Sequence, residues 1–563
     1  MIAPLFLSAL ACNRAPGPSG SADDSPGPTD SEPTELTLEL GLPAQEERSS
    51  AHFATAGVCA ECHENAETAT GMRDSLDQPI GQFDLWKATM MANSARDPLF
   101  RAVVSSEVAR NPELQEDIEG TCLACHAPLG HQQAGFSGSA GPTLAGLYEG
   151  SDTIDALALD GVSCTLCHQI QPDGLGTEAS FNAGYVIDPD AKEIYGPHAD
   201  PFTRPMQNHT GFTPTEGQQI LDAGHCGSCH TLYTHTVVDG EFTEGQLPEQ
   251  TPFLEWQASF YGQEGVTCQS CHLPTTDAQG EIIETRIARN PHGGDFSIDE
   301  RQPFGRHIFR GGNVFMLRLL RDNAEALQPR ADQAAFDAQI EQELAFLGNA
   351  SATLTLRAAS EGVRVEVGNL GGHKLPSAHP ARRAWLQIQV LDGAGEVLLA
   401  SGLVDEQGRI VDGAGNVLAL EQVGGAPLGH LERVESAEQV QIYQSLMLDT
   451  AGAWTWDLLA GSTYGKDNRL LPAGWDAARA SELGVAPVGV DGDADFAGGG
   501  DSLLIALPEG AATVKVALVY QSVSPRYIAE LAVTDTPEIR DFVAMAEADG
   551  NQPVVLAQAE LAL

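Results

Sequence analysis

In the C-terminal part of the chain, apolar and polar residues alternate along short runs. Such alternation indicates strands with one buried face, because successive side chains of a strand point to opposite faces of the sheet. Asp-Gly-Ala-Gly turns at 392–395 and 412–415 separate some of the runs. The runs that predict strands are Ala352–Arg357, Val363–Val367, Trp385–Leu391, Val397–Ala400, Val440–Leu448 and Val514–Tyr520. We therefore predict an antiparallel β-sandwich domain over residues 347–563.

Residues 51–346 show a different pattern, in which a few helical runs are separated by long connections rich in Gly and Pro. Apolar positions three and four residues apart predict short helices at Asp84–Asn93, Leu99–Ala109, Asn313–Gln328 and Asp332–Phe346. So few periodic segments cannot bury a conventional core for a region of this length. We expect a mostly α and irregular domain here, so the whole chain is predicted to be a multidomain α+β protein.

The first 50 residues do not predict a globular structure. Residues 1–12, MIAPLFLSALAC, resemble a signal peptide with a lipobox, in which Cys12 would be acylated and become the mature N-terminus. An ordinary signal peptide with an unrelated Cys is the alternative. Residues 13–50 are rich in Pro, Gly, Ser, Asp and Glu, which predicts a disordered tether. No apolar run reaches about 18 residues, the length typical of a membrane-spanning helix.

Five copies of the pentapeptide Cys-x-x-Cys-His account for ten of the eleven cysteines. This is the attachment sequence of c-type haem, in which two thiols bond to the porphyrin and the His binds the iron. Zinc is the rival interpretation, but zinc sites combine Cys pairs two at a time and need no His after each pair. We therefore predict five covalently bound haems. The attachment cysteines are Cys59, Cys62, Cys122, Cys125, Cys164, Cys167, Cys226, Cys229, Cys268 and Cys271, and the proximal iron ligands are His63, His126, His168, His230 and His272.

The motif spacing reveals an internal repeat. The first cysteines are separated by 63, 42, 62 and 42 residues, so a two-motif unit of about 104 residues recurs. The repeat aligns His131 with His235, each five residues after its proximal His. Because a His at that distance is poorly placed to reach the far face of its own haem, we predict that each binds the iron of a neighbouring haem. Coincidence of two surface histidines is the alternative.

Eleven of the 16 histidines lie outside the motifs, so every iron can receive a second His. The further candidates for distal iron ligands are His52, His198, His209, His307 and His373. A surface or packing role is the alternative for each of them. His373 lies in the predicted β-domain, so an iron bond through it would join the two domains, and His379 is the fallback ligand.

Residues 51–345 resemble the multihaem cytochromes c of the superfamily that includes hydroxylamine oxidoreductase, pentahaem nitrite reductase and cytochrome c-552/4-like electron-transfer domains. The resemblance rests on the five motifs, including Asp160-Gly-Val-Ser-Cys-Thr-Leu-Cys-His168 and Glu264-Gly-Val-Thr-Cys-Gln-Ser-Cys-His272. It implies closely packed haems, in stacked and perpendicular pairs, that pass electrons along a chain. The departures concern catalysis: the Cys-x-x-Cys-Lys motif of the nitrite reductases is missing, and no residue is identifiable as the crosslinking Tyr of the hydroxylamine oxidoreductases.

The net charge of −48 argues against binding to nucleic acid or to anionic lipid. A solvated acidic surface is the simplest explanation of this charge, and attraction of a basic redox partner is the more specific explanation. Locally, alternating carboxylates on a Gly-rich loop suggest a calcium site, although no Glu completes an EF-hand. An acidic surface turn is the alternative for these residues, which are Asp491, Asp493, Asp495 and Asp501.

Three functions are compatible with these features. The favoured one is an exported electron-transfer protein of the bacterial cell envelope, periplasmic or held at the outer membrane by lipid on Cys12, that relays electrons between redox protein partners. The second is a multihaem oxidoreductase that transforms a small nitrogen or sulfur compound at an open iron. The third is a binding lipoprotein whose β-domain docks a partner or surface.

Overall fold

The computed structural model describes residues 36–150 and 152–563. The predicted signal peptide with Cys12, and residues 13–35 of the predicted tether, lie outside the described residues. Residues Leu38–Leu563 form one compact unit. Among the described residues, no helix is long and apolar enough to cross a membrane.

The C-terminal end of the predicted tether is ordered, which corrects the assignment of residues 13–50 as disordered. The backbone amides of Glu39 and Leu40 donate to the two carboxylate oxygens of Asp541, at 2.8 and 2.9 Å. Leu42 is buried, and its amide donates to the carbonyl of Ala326 at 2.8 Å. The composition predicted disorder because it counts apolar residues over the whole segment, whereas one buried Leu and a few backbone hydrogen bonds suffice to fix its last part.

The first half of the compact unit consists mainly of short helices. They are α1 (Ala56–His63), α2 (Gln82–Trp86), α3 (Pro98–Arg110), α4 (Gln115–His126), α5 (Pro128–Ser137), α6 (Leu144–Glu149), α7 (Thr153–Ala158), α8 (Cys164–Cys167), α9 (Thr203–Thr210), α10 (Ala223–Gly227), α11 (Pro252–Gln257), α12 (Phe260–Gln263) and α13 (Cys268–His272). Two small sheets interrupt them. These are a parallel pair, β1 (Glu193–Gly196) with β2 (Thr213–Glu216), and a hairpin, β3 (Leu232–Val238) with β4 (Glu241–Gln250).

The second half contains longer helices and two larger sheets. Its helices are α14 (Val314–Asp322), α15 (Ala324–Leu327), α16 (Gln333–Ala350), α17 (Ala477–Glu482), α18 (Pro525–Leu531) and α19 (Pro537–Asp549). Its strands are β5 (Ala352–Ala359), β6 (Gly362–Asn369), β7 (Arg383–Asp392), β8 (Val397–Ser401), β9 (Arg433–Val434), β10 (Ile442–Leu448), β11 (Trp454–Thr455), β12 (Thr463–Asp467), β13 (Gly500–Ile505), β14 (Ala511–Gln521) and β15 (Val554–Ala562).

These strands form a sandwich, as the alternating pattern predicted. One sheet has the order β11-β10-β7-β14-β15, with β8 also paired to β7 and β12 to β10, and the other has the order β5-β6-β13-β9. Alternate residues of β6, β7, β13 and β14 meet in one hydrophobic cluster between the sheets. The predicted α+β class is confirmed. One detail differs from an all-antiparallel sandwich, since the short strand β9 runs parallel to β13.

Three helices of the second half share the core of the sandwich. Buried side chains of α14, α16 and α19 belong to the same hydrophobic cluster as the strands, and among them Phe336 and Phe542 are almost fully buried. The predicted domain boundary between residues 346 and 347 falls inside α16, so a helix rather than a flexible linker connects the two parts. Helix α2 is shorter than predicted because the chain turns after Trp86, whose indole N–H donates to the carbonyl of Val162 at 3.0 Å.

A matched pair of Val→Ala substitutions tests the sandwich core. Val390 of β7 is fully buried, whereas Val397 of β8 is 52% exposed. Val390→Ala removes two buried methyl groups and should lower the free energy of unfolding by about 2–3 kcal/mol. Val397→Ala should change it by less than about 0.5 kcal/mol. Urea unfolding followed by tryptophan fluorescence measures the two values, and equal losses would contradict the described packing.

Candidate haem-binding site

Each Cys-x-x-Cys-His motif lies on or directly after a short helix. Motifs one, two and five occupy the last turns of α1, α4 and α13, while motif three forms α8 and motif four begins in α10. Residues at positions i, i+3 and i+4 lie on one face of a helix. The two thiols and the imidazole of a motif therefore project to the same side, which is the arrangement that covalent attachment and axial ligation of one haem require.

The five motifs surround one continuous cavity. Its volume is about 1900 Å³, well above the roughly 300–1,000 Å³ of ordinary small-molecule pockets. All ten motif cysteines and all five motif histidines are in its wall, together with many apolar and aromatic side chains. A cavity of this size in the middle of a folded chain fits several large apolar groups, as expected if haems supply the interior that short helices cannot.

The motif histidines are oriented for binding a metal through Nε2. Each of four Nδ1–H groups donates to a backbone carbonyl, which leaves the Nε2 lone pair free. The pairs are His63 with Ile287 at 3.0 Å, His126 with Ser94 at 3.4 Å, His168 with Tyr195 at 2.6 Å, and His272 with Arg310 at 2.5 Å. Burial lowers the pKa of His63, His126 and His272 to about 4 and also lowers the pKa of His168 and His230. The imidazoles are thus neutral near pH 7.

Two of the predicted distal histidines lie close to a motif histidine in the wall of the cavity. The ring centres of His168 and His307 are 6.3 Å apart with 18° between the ring planes, and those of His272 and His373 are 6.4 Å apart with 16°. Two imidazoles bound through Nε2 to opposite sides of one metal have centres about 6.3 Å apart, if the metal–nitrogen distance is about 2.0–2.1 Å and the ring nitrogen is about 1.1 Å from the ring centre. The observed separations fit a shared iron.

The second ring nitrogen supports the same interpretation. Nδ1 of His307 donates to the carbonyl of Gly305 at 2.9 Å, and Nδ1 of His373 donates to the carbonyl of Lys374 at 3.0 Å. As in the motif histidines, these bonds leave Nε2 free. Burial lowers the pKa of His307 to about 4, so its imidazole is neutral near pH 7.

The two histidines aligned by the internal repeat lie in different local structures. His131 lies in the middle of α5, where partial burial lowers its pKa. His235 lies on the exposed side of β3, where Nδ1 donates to the carbonyl of Thr243 at 3.0 Å and Nε2 accepts from the amide of Gln246 at 2.9 Å. A ligand role for His235 would require loss of the Gln246 bond. The shared role of this pair stays a prediction.

The remaining distal candidates are placed as follows. His198 and His209 are in the cavity wall, and Nε2 of His209 is 3.0 Å from the carboxylate of Glu61, inside motif one. Nδ1 of His52 is hydrogen-bonded to the carbonyl of Pro189 at 3.1 Å. The fallback residue His379 is in the cavity wall, and its Nδ1 accepts from the amide of Ala381 at 3.2 Å. None of these geometries decides their role, which stays a prediction.

Motifs that are distant in sequence are neighbours in space. Three pairs of thiols from different motifs are close enough to raise or lower each other's pKa: Cys59 with Cys164, Cys125 with Cys229, and Cys226 with Cys268. Cys167 is near Cys229, and burial together with this neighbour raises the pKa of the Cys167 thiol to about 12. Motif three therefore lies beside motifs one and four, and motif four also lies beside motifs two and five.

Sequence reasoning missed a group of charged side chains beside His373. Lys374, Asp467, Arg469 and Glu255 are all almost fully buried and in mutual contact. Lys374 lies in the segment Gly372–Pro376, and Arg469 lies in the segment Lys466–Pro472. Nothing in the sequence connected these segments with Glu255 on α11.

The acidic loop predicted to bind calcium lies in the β-sandwich region. Asp493 and Asp501 approach His430, while Asp493 and Asp495 approach Glu432. Asp491, the fourth predicted ligand, is exposed at the surface.

The hydrogen bonds of His430 show how this cluster is organised. Its Nδ1 accepts from the side-chain amides of Gln441 at 2.9 Å and Asn468 at 3.0 Å, so Nε2 carries the proton and donates to Asp493 at 2.8 Å. Burial raises the pKa of Asp501 to about 7. In this arrangement His430 is a hydrogen-bond donor within the cluster, and calcium binding stays a prediction.

Comparison with known proteins agrees with the geometry. Residues 58–169, which contain the first three motifs, match the family model for cytochrome c554 and c-prime. The fold is similar to the crystal structure of a penta-heme cytochrome c552 from Thermochromatium tepidum, with a TM-score of 0.50 and 17% sequence identity over 92% of this chain and 100% of that chain. No curated protein matches the chain. The chain is therefore similar to the cytochrome c554 and c-prime family over residues 58–169, and its fold is similar to that of a penta-heme cytochrome c552 over 92% of its length.

Proposed function

We propose that the chain is an exported pentahaem c-type cytochrome that relays electrons between redox protein partners in the cell envelope. The observation that carries the proposal is the continuity of the motifs around one cavity. Neighbouring thiols that interact electrostatically place motif one beside three, three beside four, and four beside both two and five. Every motif thus has a neighbour, as electron transfer through the whole chain requires.

The positions of the histidines support electron relay rather than catalysis at two of the haem sites, those of His168 and His272. Haem bound at these sites would supply an iron that takes up and releases one electron, and two His ligands would leave no position for a substrate. His307 would be the second iron ligand of the haem held by His168, and His373 that of the haem held by His272, a proposal supported by the ring separations of 6.3 and 6.4 Å. The carbonyls that accept each Nδ1–H would leave Nε2 free to bind the iron, which supports the proposal.

A site for electron exchange with a partner is suggested at motif five. Cys271 is exposed, whereas the other motif cysteines are partly buried. A haem attached here would reach the surface at its edge. Because the chain carries a net charge of −48, a partner with a basic surface would be attracted to it, and the attraction would weaken as salt screens it.

The number of attached haems is the first prediction that follows from this proposed function. Intact mass under denaturing conditions should exceed the mature polypeptide mass by five haems, because each motif offers two thiols and a neutral imidazole at the cavity wall. The double variant Cys268→Ser/Cys271→Ser should carry four. A parent protein with fewer than five haems, or a double variant with five, would contradict the assignment of one haem to each motif.

Ligation is the second prediction, and it separates the relay from the enzyme alternative. If every iron has two protein ligands, the oxidised protein should show low-spin spectra that cyanide or nitrite changes only slowly, because a protein ligand must leave before either can bind. An iron open to substrate would instead give a high-spin signal in electron paramagnetic resonance, and that signal would be lost on cyanide binding. Such a signal in the parent protein would favour the oxidoreductase.

Substitution of the assigned ligands extends this test. His307→Ala and His373→Ala should each convert one haem to the high-spin form and make it bind cyanide, because each change removes one axial ligand. His292 is exposed and is not in the cavity wall, so His292→Ala is the control and should keep the parent spectrum. Parent spectra for His307→Ala or His373→Ala would exclude that residue as a ligand.

Anchoring by lipid is the third prediction. We propose that Cys12 is acylated and holds the protein at a bacterial membrane, since it is the cysteine outside the motifs and follows a short apolar run. Cells grown with a labelled fatty acid should label the parent protein, and Cys12→Ser should abolish the label. Fatty-acid label in the variant, or none in the parent, would exclude lipid anchoring at Cys12 without contradicting the proposed electron relay.

A further inference from the structure

Four charged side chains are buried where the β-sandwich meets the haem cavity. Lys374, Asp467 and Arg469 belong to the sandwich region, and Glu255 belongs to α11. The exposed fractions of these four side chains lie between 0% and 6%. Charged residues are almost never buried to this extent unless they are paired.

Each of the four charged side chains forms an ion pair with an oppositely charged member of the group, which is called the ion set below. Nζ of Lys374 is 2.5 Å from the Asp467 carboxylate, and the Arg469 guanidinium donates two hydrogen bonds to Asp467 at 2.7 and 2.8 Å. The same guanidinium forms an ion pair with Glu255 at 3.0 Å. Two positive and two negative groups make the set neutral. The two cations hold the pKa of Asp467 well below its usual range despite burial.

The set is attached to the loop that carries His373. This loop connects β6 and β7, and Lys374 directly follows His373 in it. The backbone amide of Lys374 donates to the second carboxylate oxygen of Glu255 at 3.0 Å. The carbonyl of the same residue accepts the Nδ1–H of His373 at 3.0 Å. Glu255 therefore holds the residue that fixes the orientation of the imidazole.

Further contacts hold the two sides of the loop. The hydroxyl of Tyr261, on α12, donates to the carbonyl of Leu370 at 2.7 Å, and the side-chain amide of Asn369 donates to the carbonyl of His373 at 2.8 Å. Leu375 exchanges two backbone hydrogen bonds with Leu470, at 3.0 and 2.9 Å. The loop is thus bonded to the sandwich on one side and to α11 and α12 on the other.

We propose that Glu255 is a positioning residue for the iron ligand His373, which it holds across from His272 through the Lys374 amide and the buried ion set. The inference rests on the proposed function, because it takes His373 as an axial ligand. Removal of Glu255 would leave two buried cations with one carboxylate and the Lys374 amide without its acceptor. Both changes favour movement of the loop away from the cavity. Because the intact set is neutral, it restrains the ligand without adding a net charge beside the iron.

The test measures how firmly His373 stays on the iron in the full-length, haem-loaded protein. Cyanide could bind the iron of the haem held by His272 only after His373 leaves it. The rate of cyanide uptake by the oxidised protein therefore reports release of His373. Glu255→Ala should take up cyanide at one haem at least tenfold faster than the parent. Glu255→Gln keeps the volume and an acceptor for the Lys374 amide, and it should lie between the parent and Glu255→Ala. The Gln variant also serves if the Ala variant fails to fold.

Glu421→Ala is the matched control. Glu421 forms a buried ion pair with Arg383 at 2.5 Å in the same sandwich, with side chains 0% and 2% exposed, and neither residue is in the cavity wall. This variant should lose thermal stability yet keep the parent's rate of cyanide uptake. If the two Glu255 variants match Glu421→Ala in cyanide uptake, the positioning role is wrong.

His373→Ala separates this inference from the proposed function. If His373→Ala becomes high-spin and the Glu255 variants behave like the control, only the positioning role fails. If His373→Ala keeps the parent spectrum, the ligand assignment itself fails and the positioning role fails with it.

Discussion

The interior of the cytochrome region is a cavity lined by attachment motifs, and most other features of the structure follow from this constraint. Short helices such as α8 and α13 bury few side chains of their own, so they cannot form a stable core by packing on each other. They do present two thiols and an imidazole on one face. Apolar groups bonded to those thiols would complete the core, and attachment and folding of this region would then be linked.

The same burial that shapes the cavity also prepares the histidines for binding iron. An imidazole must be neutral to bind a metal, and protons compete with the metal for Nε2. Burial lowers the pKa of His63, His126 and His307 to about 4, and a backbone carbonyl holds the proton on Nδ1 in each case. Since the charged form is favoured only below that pKa, proton competition is weak at neutral pH and grows as the pH falls toward 4.

The sequence predicted the chemistry better than it predicted the spatial arrangement. The attachment motifs are local, so five pentapeptides and the alternating strands could be recognised from the chain alone. The order of the motifs in space depends on contacts between distant residues, such as Cys59 with Cys164, and no spacing rule revealed them. The repeat correctly aligned motifs but gave no sign that His131 would lie on a helix and His235 on a strand. Short strands such as β9 and β12 were missed because a few residues carry no measurable period.

The β-sandwich contains no haem-attachment motif, but it is structurally connected to the cavity. A helix, α16, joins the two parts and shares the sandwich core, and the loop that carries His373 returns from the sandwich to the cavity wall. Two connections on different elements restrict relative motion far more than one flexible linker would. Arg469 adds a third link, because it pairs with Asp467 in its own region and with Glu255 on α11. An interface held by buried charges requires near-ideal geometry, since a displaced partner leaves an unpaired charge away from water. The sandwich can therefore hold His373, the proposed ligand, in one position. The spin state of the haem held by His272 should then depend on a domain that attaches no haem itself.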